Sequence, residues 1–125
     1  MRSYTVAAVA VAMRMPIKWV DNVLSHHNLP GISRKRQGIA RKVTMQAVVV
    51  LQVALDLVKG TSIPLRRAIE LASDLIAVGG SDARVQLSQT ISLAVDVDAI
   101  GRGVSAKLAD AVEVAPRPRR GRPRR

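Results

Sequence analysis

Residues 44–59 constrain this chain more than any other stretch. Val48, Leu51, Leu55 and Val58 recur at helical spacing, and Val49, Val50, Val53, Ala54 and Leu57 widen the apolar face. Only Gln46, Gln52, Asp56 and Lys59 are long and polar. So apolar a helix has to be covered on more than one side, and the spacing predicts a central helix with others packed around it. Thr44 is its expected N-cap and Gly60 its expected stop. With one Trp, one Tyr and no Phe in 125 residues, the covering side chains must be aliphatic.

Three further helices can do the covering. Thr5 caps a small-residue helix through Met13, in which Val6, Val9 and Met13 share one side and Ala7, Ala8, Ala10 and Ala12 permit close approach. This run reads as a packed first helix rather than a leader, and no apolar run reaches the ~20 residues of a spanning helix. Pro16 opens a second helix with a stripe of Trp19, Val20, Val23 and Leu24, leaving Lys18, Asp21, Asn22, Ser25 and His26 outward. Pro64 lies in the first turn of a helix starting at Ser62 or Ile63. Its stripe is Leu65, Ala68, Ile69, Ala72, Leu75 and Ile76, its outward residues are Arg66, Arg67, Glu70 and Asp74, and it stops at Gly79-Gly80.

Residues 81–87 read as a connection. Ile91, Leu93, Val95 and Val97 then alternate with Thr90, Ser92, Ala94, Asp96 and Asp98, the pattern of a half-buried strand. Asp96 and Asp98 read as solvent-facing alternation rather than a metal pair, with Asp98 also placed to cap a last helix. Ile100, Val104 and Leu108 form that helix's stripe. A lone strand needs a partner for its edges: the basic hairpin described below, an N-terminal strand, or its twin in a second subunit. A homodimer through residues 88–114, with Ile91, Leu93, Val95, Ile100, Val104 and Leu108 at the interface, is the expectation. The chain divides into residues 1–78, 79–114 and a tail, in a mainly α fold with small β elements.

Charge points to the partner. The formal net charge is +11, and residues 116–125 alone hold six Arg and no acid. The rest still carries five excess positive charges, so the body too is expected to be basic and to favour polyanions. Residues 31–43 carry Arg34, Lys35, Arg36, Arg41 and Lys42 without one acid, and Gln37-Gly38 between the clusters suits a tight turn. The reading is a basic hairpin, residues 32–36 and 39–43 forming its arms along a phosphate backbone. On the second helix, Lys18 and Asn22 suit base edges or phosphates, and Ser25 and His26 share that side. His26 and His27 are adjacent, face different ways and lack a third ligand, so no metal site is expected.

Two resemblances carry the functional reading further. Arg120-Gly121-Arg122-Pro123 resembles the core of the AT-hook. The resemblance implies a tail in which Arg117, Arg119, Arg120, Gly121, Arg122 and Pro123 lie in a narrow A·T minor groove. The tail cannot fold alone and is expected to be disordered when free.

Tyr4-Thr5, Ala8, Met15-Pro16-Ile17-Lys18, Arg41, Thr44, Leu51, Leu57, Gly60, Leu65 and Ala68 fall where the MerR superfamily of winged helix-turn-helix regulators has its landmarks. The resemblance covers residues 4–76. It implies that residues 16–27 enter the major groove and residues 31–43 form the wing. The chain departs where the family usually has Leu-Arg-Tyr-Tyr, having Val20-Asp21-Asn22-Val23. An acid thus replaces a phosphate-touching arginine. It also lacks the family's long dimerising helix.

Three function classes stay open. The first is a sequence-specific DNA-binding transcriptional regulator. The second is a nucleoid-associated, architectural silencing protein of A·T-rich DNA. The third is an antitoxin or phage-type protein-interaction module. No nucleophile–base pair, phosphate loop or ligand cluster points to an enzyme, and no cofactor or small-molecule effector is expected. Without Cys there is no disulfide and no thiolate metal site. A cytoplasmic, nucleoid-bound protein is the expected setting.

Overall fold

A computed structural model of the chain describes residues 3–27, 29 and 42–114. Within them it is mainly helical, with two small antiparallel sheets. In order the elements are β1 (Ser3–Thr5), α1 (Val6–Met13), α2 (Ile17–His26), β2 (Lys42–Thr44), α3 (Met45–Thr61), α4 (Leu65–Val78), β3 (Ala83–Gln86), β4 (Ser92–Val95) and α5 (Val97–Val114).

α3 is the central helix. It buries Ala47, Val48, Val49, Val50, Leu51, Val53, Ala54, Leu55 and Leu57, against α4 on one side and α5 on another. Its N-cap is Thr44, whose Oγ1 accepts from the Ala47 amide at 3.3 Å. Its end differs from expectation. Gly60 lies inside the last turn, and the left-handed residue that closes the helix is Ser62, at φ 60°. A Cβ on Gly60 would meet nothing within 4 Å, so the glycine there serves no turn.

The first and second halves of this core repeat one local plan. β1 runs into Thr5, whose hydroxyl accepts from the Ala8 amide at 3.1 Å. α1 follows, ends at Arg14 with φ 56°, and passes through Met15 and the extended Pro16 into α2. β2 likewise runs into Thr44, and α3 ends at Ser62, followed by Ile63 and the extended Pro64 before α4. Each unit is therefore strand, threonine cap, helix, left-handed residue, apolar residue, proline, helix. The units differ in their first helix, 8 residues against 17.

The strands of the two units pair antiparallel, with Ser3 opposite Thr44, Tyr4 opposite Val43 and Thr5 opposite Lys42. Equivalent residues thus exchange places about a local two-fold axis at Tyr4 and Val43. The free end of the expected basic hairpin is accordingly a strand, but its partner is the N-terminal strand. The rest of that hairpin lies outside the described residues.

The C-terminal third corrects three expectations. The supposed connection contains β3, and β3 is the partner of β4: Ala83 pairs with Val95, Arg84 with Ala94, Val85 with Leu93 and Gln86 with Ser92. The strand therefore needs neither the basic hairpin, nor β1, nor a second subunit to exist.

The cap of α5 is Asp96 rather than Asp98, its carboxylate accepting from the Ala99 amide at 2.9 Å. Val97 is already helical.

Nor do residues 79–114 stand apart. Val104, Leu108 and Ala111 are buried in the same core as Val9, Val20 and Leu51, because α5 packs against α1 and α3. Two residues expected at a dimer interface, Val104 and Leu108, are thus spent inside the protomer. Ile100 is half-buried against the same core.

Candidate nucleic-acid interface

α2 is held by Val20, Val23 and Leu24, all buried, with half-buried Trp19 beside them. A stripe of this kind fixes which residues face out. Lys18, Asn22, Ser25 and His26 are all exposed, and their spacing places them along one side of the helix. Two of the four are engaged locally. The Ser25 hydroxyl donates to the Asp21 carbonyl and the His26 Nδ1 donates to the Asn22 carbonyl, each at 2.8 Å. Ser25 has therefore spent its hydrogen within the helix, and His26 presents only Nε2. The side chains of Lys18 and Asn22 remain the outward polar groups best suited to reading a groove.

Of the basic contacts expected on residues 31–43, Lys42 lies within the described residues. It is exposed on β2 opposite Thr5, the residue that caps α1. Arg34, Lys35, Arg36 and Arg41 lie outside the described residues. So do all the tail positions, Arg117, Arg119, Arg120, Gly121, Arg122 and Pro123.

The described residues contain nine lysines and arginines, and they also contain all nine acids of the chain. The described fold is neutral by count. The whole excess of eleven sits on Arg2, on Arg34, Lys35, Arg36 and Arg41, and on the six arginines of the tail. Without residues 116–125 the chain still carries five excess positive charges, four of its basic residues lying at 34–36 and 41.

The neutral part is itself polarised. Up to residue 67 it has six basic residues (Arg14, Lys18, Lys42, Lys59, Arg66 and Arg67) against Asp21 and Asp56. Beyond residue 67 it has Arg84, Arg102 and Lys107 against seven acids. Among the ion pairs of the described residues, Arg67–Glu70 at 3.1 Å and Arg84–Asp82 at 3.2 Å are exposed and worth little.

Sequence reasoning passed over Arg14 and Arg66. Arg14 is the exposed left-handed residue between α1 and α2. Arg66 occupies in the second unit the place of Lys18 in the first, two residues after the proline. The signal was the shared run of apolar residue, proline, apolar residue and basic residue. It was hidden because the offset between the units grows along the chain.

No family model matches the chain, and neither the curated proteins nor the solved structures compared with it give a match. No group of three or more potential metal ligands is assembled among the described residues, and no helix among them is long and apolar enough to cross a membrane.

Proposed function

We propose that the protein is a DNA-binding regulator of winged helix-turn-helix type. α2 would supply the major-groove contacts, the basic segment 31–43 would lie along phosphates, and the arginine tail would enter an adjacent A·T minor groove. One observation carries the reading: residues 31–43 hold five basic residues and residues 116–125 six, neither with an acid, and the first of these segments joins α2 to β2. An acid-free basic segment that follows in sequence a helix with outward Lys18 and Asn22 suits phosphate anchoring combined with base reading. The order β1, α1, α2, basic segment, β2, α3, α4, with β1 paired to β2, supports the resemblance to the MerR superfamily. Base contacts would rest on Lys18 and Asn22, since Ser25 and His26 are bonded within α2. Such a protein would act on chromosomal DNA.

The test is affinity across a salt series. Each phosphate contact removed lowers the slope of log K against log salt by roughly 0.9. Arg36→Ala and Arg41→Ala should each show that change on every sequence alike. Lys107→Ala, on the exposed side of α5, should leave the slope unchanged. Unaltered slopes in both arginine variants would overturn the reading.

The six-arginine tail favours a second reading, an architectural protein of A·T-rich DNA. Probes sharing one core but flanked by A·T or by G·C separate the two. Without residues 116–125, a specific regulator keeps its preference for the core and loses affinity chiefly on the A·T-flanked probe. An architectural protein loses most discrimination.

A further inference from the structure

We propose that the outer edge of β4 is a self-complementary pairing surface, through which two copies of this chain join their hairpins into one four-stranded sheet. The inference does not rest on DNA binding, and its test contains no DNA.

The two edges of the β3–β4 hairpin are unlike. β3 packs against α4 and carries the exposed Arg84, paired with Asp82 just before the strand, the kind of charge that discourages edge pairing. β4 pairs with β3 alone among the described strands, and residues 87–95 contain no charged side chain. The hairpin is also preorganised. The Ser88 hydroxyl accepts from the Thr90 and Ile91 amides at 3.3 and 3.1 Å, and the Leu87 amide donates to the Ile91 carbonyl at 2.9 Å.

That last bond fixes which groups face outward. Hydrogen-bonded and non-bonded pairs alternate along an antiparallel ladder. With 87 and 91 bonded, 85 with 93 and 83 with 95 are bonded too. The amides and carbonyls of Ser92 and Ala94 then point away from β3, toward the open edge.

A second β4, antiparallel about a two-fold axis at Leu93, would exchange these groups: Ser92 with Ala94 of the other copy, and Ala94 with Ser92. The same register sets Ile91 against Val95, Leu93 against Leu93 and Val95 against Ile91, all on one face of the sheet. It would cover Ile91, which is 57% exposed in the protomer. Shifting the axis to Ser92 puts Val95 against Gln89. Shifting it to Ala94 puts Ile91 against Val97, which already belongs to α5. Only the central register uses the whole apolar set.

Nucleic acid is the wrong occupant for this edge, since the described residues beyond 67 hold seven acids against three basic residues. The tail is also unsuited, because Pro116, Pro118 and Pro123 interrupt its run of amide donors.

The chain has no cysteine, so a single introduced one reports cleanly. Across a non-bonded antiparallel pair the Cα atoms lie ~4.5 Å apart, within disulfide range. With an added mild oxidant such as oxidised glutathione to take the two electrons, Leu93→Cys should form a disulfide-linked species of twice the 13.5 kDa protomer mass, and Ser92→Cys, opposite Ala94, should not. The unmodified protein should sediment as a dimer that dissociates on dilution. Ala94→Pro removes an amide that β3 does not use, and Ile91→Lys changes an exposed side chain. Each should leave the helical circular dichroism intact and give a monomer. A monomeric parent protein at 100-fold dilution steps up to about 100 μM, a folded Leu93→Cys variant that fails to cross-link, or a dimer persisting in folded Ile91→Lys would overturn the inference.

Discussion

Leu108→Ala decides whether α5 belongs to the core of one chain or to an interface between two. Leu108 is fully buried, on a helix packed against α1 and α3. Truncating a leucine in such a site removes its transfer free energy and leaves a cavity, costing ~2–5 kcal/mol. With stabilities of ~5–15 kcal/mol common for single domains, that is a large share of the total. A loss of about 3 kcal/mol corresponds to a fall in Tm of about 12–24 °C for a fold of this size. Lys107→Ala, one residue away and exposed, should move Tm by less than about 4 °C. Scanning calorimetry at protein concentrations a hundredfold apart separates the alternatives. Packing within the protomer predicts the same difference between variant and parent at both concentrations. An interface role predicts a difference that changes with concentration, by mass action. A drop below about 4 °C, or one that tracks concentration, would refute the placement of α5.

Two further outcomes follow from the local geometry. Gly60→Ala should stabilise the protein by ~0.5–1 kcal/mol, because Gly60 is helical with open space at its Cβ position; denaturant titration showing a loss instead would mean that Gly60 closes the helix. Thr5→Ala and Thr44→Ala should each cost about 1 kcal/mol in the same assay, since the two hydroxyls make equivalent caps in the two units.

Much of the helical frame was legible because it rests on periodicity. α2 and α4 each carry a continuous stripe, and Val20, Val23, Leu24, Ala68, Ile69, Ala72 and Leu75 are buried as the spacing requires. Proline marked both helix starts to within a few residues, but α4 begins at Leu65 rather than Ser62 or Ile63, and Pro16 and Pro64 are extended residues just before their helices rather than members of the first turn. What escaped was short or non-local. β3 is four residues with Arg84 and Gln86 facing out, directly after the Gly79-Gly80 turn, and such a run has too few periods to announce itself. Val97 extends the alternation of β4 across the junction into α5, which moved the apparent cap from Asp96 to Asp98. The close of α3 was misplaced because Gly is the usual left-handed residue, whereas here Ser62 takes that conformation. Of the candidate site, the outward side of α2 was legible. The bonds that occupy Ser25 and His26 were not, since they depend on rotamers.

The partition of charge gives the proposed function its physical form. Residues 34–41 and 116–125 hold ten of the twenty basic residues and no acid, so under the proposed function they would dominate long-range attraction to a polyanion. Both are acid-free, so each would neutralise phosphate without competition from its own acids. Sequence preference would then fall to a small set of groups fixed by the core, chiefly Lys18 and Asn22 on α2, whose direction is set by Val20, Val23 and Leu24. The acids gathered beyond residue 67 have the opposite effect on the same partner. They lie on α4, next to the β3–β4 hairpin and on α5, and under the proposed function they would oppose contact of those elements with a phosphate backbone.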